Sequence, residues 1–229
     1  MSPHLSQADW IVVCDFDGTI TSKDIGNELH QSLKPNEFTQ LQSDYRAGKI
    51  SLKELQALMW NHLPMGQVQM KTEALKWSGL RPGCNDFFEY CAKLRIPVFI
   101  ASCGIETYIE SVIDHELSTL ARSAIFAIES NRAQFKGETI ELLSPPWSPA
   151  DSPYPMDKGA WSVKMRTEHA PNARILAIGN GSSDRSFAGK VDKIAATDGF
   201  RKWCDSNSVE YLSFDNFQEI TQSKLLETK

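Results

Sequence analysis

The sequence predicts an α/β fold: a Rossmann-like, doubly wound and mainly parallel sheet with a small all-helical cap inserted after the first strand. Short apolar, β-branched runs recur along the chain, and such runs are typical of buried parallel strands. Helical patterns separate most of these runs, as in parallel sheets that are covered by helices on both faces. Residues 22–94 break this alternation, because they contain helical patterns and no convincing strand.

Five runs are the strand candidates. The three clearest are residues 10–16, 96–102 and 173–179, which read WIVVCDF, IPVFIAS and ARILAIG. Residues 192–197 and 209–214 are shorter and weaker candidates. Ligands of open α/β sheets bind beyond the carboxyl ends of the strands, so the polar residues that follow these runs are the candidates for a functional site.

The helical stretch supports a separate cap. Ser51 begins a helical pattern and Glu54 follows three residues later, which is the spacing of a capping box. Apolar residues then repeat at helical spacing through the rest of this segment. We therefore predict two domains, a core of residues 1–21 and 95–229 and a cap of residues 22–94.

Two later segments depart from the alternation of strands and helices. Residues 124–143 have the pattern of a short antiparallel excursion. Residues 144–155 contain five of the chain's 11 prolines, which excludes a regular helix or a central strand. We expect an ordered surface loop there, shortly before Lys158 in the sequence.

The composition limits the classes of function. The chain has 229 residues, 41 % of them hydrophobic, and a formal net charge of -5, so it lacks the basic surface that nucleic acids require. No apolar run reaches the roughly 20 residues that span a bilayer, and no secretory signal is recognisable. The five cysteines are odd in number and show no metal-ligand spacing, so we expect free thiols and a cytoplasmic protein. The sequence leaves the oligomeric state open.

Residues 12–21, VVCDFDGTIT, carry the most chemical information. Asp15 and Asp17 follow a buried strand, at the sheet edge where α/β proteins bind ligands. Two close carboxylates repel each other unless a cation or a proton lies between them, and a hard divalent cation with oxygen ligands meets that need. The competing interpretation is a strand that ends in an Asx-rich turn.

The sequence DFDGT at residues 15–19 resembles the first signature of the haloacid dehalogenase superfamily of phosphatases. The other three signatures of that family follow in order. Ser102 ends an apolar strand, Lys158 lies near the start of a later helix, and residues 177–184, AIGNGSSD, match the fourth signature after another strand. The resemblance covers nearly the whole chain, and it implies a phosphatase that works through a bound metal ion.

For the catalytic steps, the resemblance implies that Asp15 attacks phosphorus and becomes an aspartyl-phosphate, and that Asp17 protonates the leaving oxygen and later activates water. It also implies a Mg²⁺ ion, held by the Asp15 side chain, the Asp17 backbone carbonyl and a residue of the fourth signature. The candidates there are Asn180 and Asp184. Related enzymes usually have aspartate in place of Asn180, so we expect weaker Mg²⁺ binding. Asp184 either coordinates the metal or orients a metal-bound water or Lys158.

For phosphate binding, the resemblance implies the hydroxyl of Ser102, the backbone N–H near Cys103 and the ammonium of Lys158. Ser102 has a competing role as a helix N-cap, and Lys136 and Lys164 compete for the role of Lys158. A buried thiol is more often inert than catalytic, so the Cys103 sulfur is assigned no chemistry.

The helical insertion is similar to the cap of the phosphoserine-phosphatase-like branch of the family. That likeness implies substrate contacts from Asp24 and Arg46, where phosphoserine phosphatases have a glutamate and an arginine that bind substrate. The competing interpretation is a pair of exposed charges. Several segments, among them AGKISLKEL and AIESNRAQFKGETIEL, also resemble the methionine-salvage phosphatases, which act on 2-hydroxy-3-keto-5-methylthiopentenyl-1-phosphate.

The resulting hypothesis is a Mg²⁺-dependent phosphatase of a small phosphorylated metabolite, with the methionine-salvage intermediate as the first candidate substrate. One alternative is a phosphoserine-phosphatase-like enzyme, and another is a phosphotransferase that passes the aspartyl-phosphate to an alcohol. A third alternative is a catalytically weakened protein that binds a phosphorylated ligand, and Asn180 is the feature that favours it.

Overall fold

The computed structural model of the chain describes residues 5–61, 63–143 and 147–227. Within these residues, a seven-stranded sheet forms the centre of the protein. Its strands in chain order are β1 (Trp10–Cys14), β2 (Val98–Ile105), β3 (Ile125–Lys136), β4 (Thr139–Leu143), β5 (Arg174–Gly179), β6 (Lys193–Ala196) and β7 (Leu212–Ser213). They lie in the order β4-β3-β2-β1-β5-β6-β7, and every neighbouring pair except β3–β4 is parallel. The predicted mainly parallel α/β fold is confirmed.

α-Helices lie in most of the connections between the strands. In chain order they are α1 (Ile25–Leu33), α2 (Pro35–Arg46), α3 (Leu52–Trp60), α4 (Gln67–Ala74), α5 (Cys84–Lys93), α6 (Glu106–Glu116), α7 (Thr119–Arg122), α8 (Lys158–His169), α9 (Asp198–Ser206) and α10 (Phe217–Gln222). The predicted capping box at α3 is present, because Ser51 Oγ accepts from the Glu54 N–H and the Ser51 N–H donates to the Glu54 carboxylate. None of the described helices has the length and apolar character needed to cross a bilayer.

The alternation of side chains along β1 creates two cores, one on each face of the sheet. Val12 and Cys14 belong to the core that includes residues of α5, α6 and α10, whereas Ile11 and Val13 belong to the core that includes residues of α8 and α9. All five residues of β1 are buried. Burial on both faces explains why this strand is a continuous apolar run rather than an alternating one.

The segment between β1 and β2 contains helices α1 to α5 and contributes no strand to the sheet among its described residues. Helix α5, which lies at the end of this segment, packs against α7 and α10, and the rings of Phe87 and Phe217 are 5.3 Å apart. The assignment of residues 22–94 to a cap domain stays a prediction. Its helices α1, α2 and α3 are the ones that lie over the carboxyl ends of the strands.

The antiparallel pairing predicted within residues 124–143 is confirmed, and its second strand forms hydrogen bonds with the segment after α3. Strands β3 and β4 form an antiparallel pair. The Ile140 N–H donates to the Leu63 carbonyl at 3.3 Å, and the Leu142 N–H donates to Asn61 Oδ1 at 3.0 Å. The predicted loop at 144–155 lies partly outside the described residues, and residues 147–157 form neither helix nor strand.

His30 in α1 is a buried titratable group that provides a test of this packing. Its side chain is 1 % exposed, and neither ring nitrogen has a hydrogen-bond partner among the described residues. Burial lowers its pKa, and the carboxylate of Glu37, 3.7 Å from Nε2, only partly opposes that effect. The folded protein therefore binds a proton at His30 less tightly than the unfolded chain does.

We expect His30 to make the free energy of unfolding fall as the pH decreases below its unfolded pKa of about 6.5. The contribution of one proton to this slope is at most about 1.4 kcal/mol per pH unit. His30→Phe removes the titrating group and keeps an aromatic ring beside Phe38, so its unfolding free energy should depend less on pH. Urea unfolding between about pH 7.5 and pH 5.5 measures how the free energy of unfolding depends on pH in the wild-type protein and in the variant. The same pH dependence in both proteins would contradict the assignment of this effect to His30.

Candidate active site

Three strands end at one edge of the sheet and bring the predicted site residues together. Asp15 follows β1, Ser102 and Cys103 lie near the end of β2, and Asn180 follows β5. Because β1 lies between β2 and β5, Asp15 is central. A cavity of about 210 Å³ lies between this edge and helices α1, α2 and α3, and these four residues line it.

Lys158 is fully buried and joins two carboxylates. Its Nζ donates one hydrogen bond to Asp15 Oδ1 at 2.5 Å and another to Asp184 Oδ1 at 2.7 Å. Lys158 is the first residue of α8, and the helix start is fixed by Asp157, whose side chain accepts from the Ala160 N–H. The start of α8 therefore places the Lys158 ammonium against the Asp15 carboxylate.

The two other lysines that the sequence offered lie elsewhere. Lys136 pairs with Glu141 in the β3–β4 hairpin, and Lys164 pairs with Glu168 at 3.0 Å along α8. Both contacts are at the surface, and neither lysine lines the cavity. Among the three candidates, Lys158 is the one that contacts the predicted catalytic residues.

Burial and neighbouring charges determine the proton affinities of this cluster. Burial lowers the pKa of Lys158, but Asp15 and Asp184 raise it by more, so the ammonium keeps its charge. Burial and then the Asp184 charge raise the pKa of Asp15 to about 7, although Lys158 acts in the opposite direction. Asp15 therefore binds a proton more tightly than a free aspartate does, and a further cation would favour its charged, nucleophilic form.

The chain turns sharply after Asp15. The Thr19 hydroxyl donates to Asp15 Oδ2 at 2.9 Å, so both carboxylate oxygens have a partner. Gly18 has a φ of +74°, a left-handed conformation that favours glycine, and a Cβ there would lie 2.2 Å from Asn180 Nδ2. The Asn180 amide therefore packs directly on the turn that carries Asp15 and Asp17.

Arg81 holds the same turn from a segment that no motif marks. Its Nη2 donates to the Gly18 carbonyl at 2.6 Å, and its Nε donates to the Thr19 carbonyl at 3.3 Å. Nη2 also donates to the Asp198 carboxylate at 2.8 Å. Sequence reasoning missed Arg81, because an arginine before a Pro-Gly pair indicates a turn and gives no sign of this contact.

The Asp17 carboxylate is held by two donors. The Tyr108 hydroxyl donates to Oδ2 at 2.6 Å, and the Ile25 N–H at the start of α1 donates to Oδ1 at 3.0 Å. Burial and then the Asp24 charge raise the pKa of Asp17 well above its usual range, while the Tyr108 hydrogen bond lowers it. Tyr108 was also missed, because a tyrosine inside an ordinary helix carries no motif.

The two residues of the fourth signature have different contacts. Asp184 is fully buried, and its Oδ2 accepts from the N–H groups of Asn180 at 2.9 Å and Gly181 at 2.8 Å, while its Oδ1 accepts from Lys158. The Asn180 side chain lines the cavity and has no hydrogen-bond partner among the described residues. Asp184 therefore orients Lys158 and the turn, and Asn180 leaves its amide available at the cavity wall.

Ser102 is buried in β2, and its Oγ accepts a hydrogen bond from the Gly104 N–H at 3.0 Å. The alternative role as an N-cap is wrong, because the residue that precedes α6 is Ile105. Cys103 also lines the cavity. Burial raises the pKa of its thiol to about 11, so the sulfur is protonated at neutral pH and has little nucleophilic character.

The two charged residues expected to contact substrate lie in different places. Asp24 lines the cavity and is the N-cap of α1, where Oδ1 accepts from the Asn27 N–H at 2.8 Å. Arg46 is the last residue of α2, is exposed, and is absent from the described cavity wall. The structure therefore brings Asp24 to the cavity and leaves Arg46 outside it.

A cation at this edge would meet oxygen ligands. The described residues contain no cluster of three or more histidine, cysteine, aspartate or glutamate side chains that could hold a metal ion. The available set combines the Asp15 carboxylate with the Asn180 amide oxygen and the Asp17 backbone carbonyl. Mixed carboxylate, amide and carbonyl oxygens suit hard cations such as Mg²⁺ and Ca²⁺.

Known proteins resemble this chain in sequence and in fold. It matches the family model of the haloacid dehalogenase-like hydrolases over residues 12–189. It is 26 % identical over 227 residues to the 2-hydroxy-3-keto-5-methylthiopentenyl-1-phosphate phosphatase of Lysinibacillus sphaericus, covering 95 % of this chain and 96 % of that protein. It is 24 % identical to the bifunctional enzyme MtnB/MtnX of Bacillus licheniformis, covering 92 % of this chain but only 48 % of that enzyme. The solved phosphoserine phosphatase of T. onnurineus shares the fold, with a TM-score of 0.68 at 16 % identity over 97 % of this chain and 96 % of that one.

The buried ion cluster leads to a stability prediction for Lys158→Met. Removing the ammonium leaves Asp15 and Asp184 buried without a cation, which should lower the free energy of unfolding by about 3–5 kcal/mol. Without the lysine, nothing opposes the effects of burial and of the Asp184 charge as strongly, so Asp15 holds its proton more tightly than it does in the unfolded chain. The loss should therefore be greater at about pH 8 than at about pH 6.

Urea unfolding measures this difference, with Lys164→Met in the same helix as the matched control. Lys164 is partly exposed, pairs with Glu168 at 3.0 Å and lies 5.9 Å from the centre of the Trp147 ring, so its replacement should change stability by no more than about 1 kcal/mol. If Lys158→Met destabilised the protein no more than Lys164→Met does, the buried ion cluster would be wrong.

Proposed function

The chain belongs to the haloacid dehalogenase-like hydrolase family, and from that premise we propose that it hydrolyses a small phosphorylated metabolite through an aspartyl-phosphate intermediate on Asp15. The resemblance of the four signatures to this family is confirmed, and the chain is a phosphoric monoester hydrolase. The observation that carries the proposed mechanism is the contact of Asp15 with the buried Lys158 at the wall of a cavity. It holds a carboxylate in one orientation and offsets its negative charge.

In the proposed reaction, a carboxylate oxygen of Asp15 attacks phosphorus, the ester bond breaks, and the leaving oxygen takes a proton from Asp17. Water then attacks the aspartyl-phosphate, gives its proton to Asp17, and releases inorganic phosphate and the free Asp15 carboxylate. Two displacements are each easier than one direct hydrolysis. The raised pKa of Asp17 supports this role, because a carboxyl that binds its proton more tightly than a free aspartate is better suited to general acid and base catalysis.

We propose Mg²⁺ as the cofactor, with Asp15, Asn180 and the Asp17 carbonyl as its protein ligands. Asp15, Asp17 and Asp24 line the cavity, and no lysine, arginine or histidine is among its described lining residues. When bound, Mg²⁺ supplies the positive charge that lets an anionic phosphate approach the Asp15 carboxylate. Asp184 is a weaker candidate ligand, because it is absent from the described cavity wall and its Oδ2 already accepts from two backbone N–H groups.

For the phosphate, we propose the hydroxyl of Ser102 and the backbone N–H near Cys103 as donors, with Lys158 offsetting the negative charge. Ser102 Oγ already accepts from the Gly104 N–H, so its own hydrogen is available to a ligand. The five cysteines are all free, which agrees with the proposed cytoplasmic setting.

We propose 2-hydroxy-3-keto-5-methylthiopentenyl-1-phosphate as the first substrate to test, because relatives that span the chain carry that activity in their names. Phosphoserine is the second candidate, because phosphoserine phosphatases share the fold. It is disfavoured by the cavity, since the amino acid carboxylate would find no cationic side chain on the described wall and Arg46 lies outside it. Adding alcohol acceptors to the assay distinguishes hydrolysis from phosphotransfer.

Asp15→Asn tests the nucleophile. Asparagine keeps the shape of aspartate but is a poor nucleophile, so turnover of p-nitrophenyl phosphate with Mg²⁺ should fall by more than about 1,000-fold. Circular dichroism and urea unfolding should show a folded protein. Asp151→Asn in the exposed loop before α8 is the control and should retain activity. Substantial turnover by Asp15→Asn would exclude the aspartyl-phosphate mechanism.

Asn180→Asp tests the proposed metal ligand. The change restores the aspartate that related enzymes usually have and adds one negative charge, so Mg²⁺ should bind roughly tenfold more tightly, or about 1.4 kcal/mol. Isothermal titration calorimetry measures the binding directly, and the Mg²⁺ dependence of turnover measures its consequence. Unchanged Mg²⁺ affinity would mean that Asn180 is not a ligand. A wild-type protein that binds Mg²⁺ and phosphate without any turnover would instead support a ligand-binding role.

A further inference from the structure

The helical side of the cavity presents uncharged hydrogen-bonding groups. Asn27 of α1, Gln42 of α2 and Gln56 of α3 line it, together with Tyr45. No described lysine, arginine or histidine lines this side. Asp24 at the start of α1 is the charged residue of this side. A substrate carboxylate would therefore find no cationic side chain on the described wall, whereas neutral oxygens would find amide donors.

The orientation of the Gln56 amide is fixed by chemistry. Trp60 Nε1 donates to Gln56 Oε1 at 3.1 Å. An indole N–H can only donate, so the amide oxygen must face Trp60 and the amide nitrogen must point the other way. Gln56 Nε2 has no hydrogen-bond partner among the described residues, and the side chain lines the cavity. Both protons of the Gln56 amide nitrogen are therefore available to a ligand.

Trp60, which holds Gln56, is itself rigidly packed. Its side chain is 1 % exposed. A Cβ on Gly26 would lie 3.0 Å from Trp60 Cζ2, so the indole lies against the backbone at the start of α1. The Trp60 and Tyr108 rings are 6.0 Å apart, and the Tyr108 hydroxyl donates to Asp17 at 2.6 Å. A continuous set of contacts thus connects Gln56 to the proposed general acid.

An apolar surface lies on the same face of α3. Leu52, Leu55 and Met59 line the cavity, and their spacing with Gln56 places all four on one side of the helix. Leu55 and Met59 are buried. The helix therefore combines one oriented amide donor with an apolar wall.

We propose that Gln56 is a specificity-determining residue whose Nε2 donates a hydrogen bond to an uncharged oxygen, a carbonyl or a hydroxyl, on the organic part of the phosphoester. The apolar remainder of the substrate packs on Leu52, Leu55 and Met59. The inference rests on the proposed phosphatase function. In this role, Gln56 makes the protein prefer phosphoesters with an uncharged oxygen on the organic part over phosphoesters of the same size that lack this oxygen.

The experiment compares kcat/KM for dihydroxyacetone phosphate, which has a carbonyl and a hydroxyl, with that for n-propyl phosphate, which has neither. The wild-type protein should prefer dihydroxyacetone phosphate. Gln56→Leu should reduce this preference about tenfold, the effect of losing one hydrogen bond to the substrate. Gln42→Leu is the matched control, because the Gln42 amide nitrogen is already engaged with Asn27 Oδ1 at 3.4 Å. It should affect both substrates alike.

Two further variants separate specificity from packing. Gln56→Glu keeps the side-chain size and still accepts from Trp60, but it replaces the donor with a charged acceptor. It should lose the preference for dihydroxyacetone phosphate and raise kcat/KM for phosphoethanolamine, whose ammonium it can pair. Trp60→Phe removes the N–H that orients the amide, so it should reduce the preference only in part. A purely structural role would change kcat/KM for all substrates by the same factor.

Turnover of p-nitrophenyl phosphate, measured on every variant, distinguishes the two proposals. If the wild-type protein hydrolyses neither p-nitrophenyl phosphate nor dihydroxyacetone phosphate, the proposed function fails. If the variants hydrolyse it and the ratio of the two test substrates stays at the wild-type value in both Gln56→Leu and Gln56→Glu, the role of Gln56 is overturned and the phosphatase function stands. A selective loss of that ratio in either folded variant supports the role of Gln56.

Discussion

The buried ammonium of Lys158 is the interaction on which the site depends. It connects the start of α8 to the carboxylate after β1 and to the carboxylate in the turn after β5. Each of these three groups alone would be unfavourable in the interior, because an unpaired buried charge loses its hydration. Together they form a cluster with one positive charge and two carboxyl groups. The cluster fixes the position of Asp15. Its single ammonium does not offset the charges of both carboxyl groups.

The cavity next to this cluster is also lined by acidic side chains. Asp15, Asp17 and Asp24 all line it, and the raised pKa values of Asp15 and Asp17 express the cost of holding carboxylates together away from water. A phosphate cannot approach such a surface without additional positive charge. The turn around Gly18 and the free amide of Asn180 leave oxygen ligands where a cation would offset this repulsion. Charge balance thus links the buried cluster to the proposed cofactor.

The sequence predicted those parts of the site that follow from strand order and motif. Asp15, Ser102 and Asn180 meet because parallel strands end at one edge of the sheet, and Lys158 was identified by its family signature. Contacts made by side chains from the helices could not be predicted. Tyr108, Arg81 and Gln56 lie in ordinary helical or turn sequence, and their roles depend on how these segments pack over the sheet. For the same reason, sequence spacing could not show that Arg46 is outside the cavity.

The chemical identity of the intermediate tests the role of Asp15 most directly. The protein is mixed with p-nitrophenyl phosphate and Mg²⁺, quenched in acid during turnover, and digested for peptide mass spectrometry. We expect a phosphoryl group on Asp15, in an acyl-phosphate bond that hydroxylamine cleaves. Turnover with a phosphoryl group on a different residue, or with Asp15 unmodified throughout the reaction, would contradict the central role of the carboxylate that Lys158 holds.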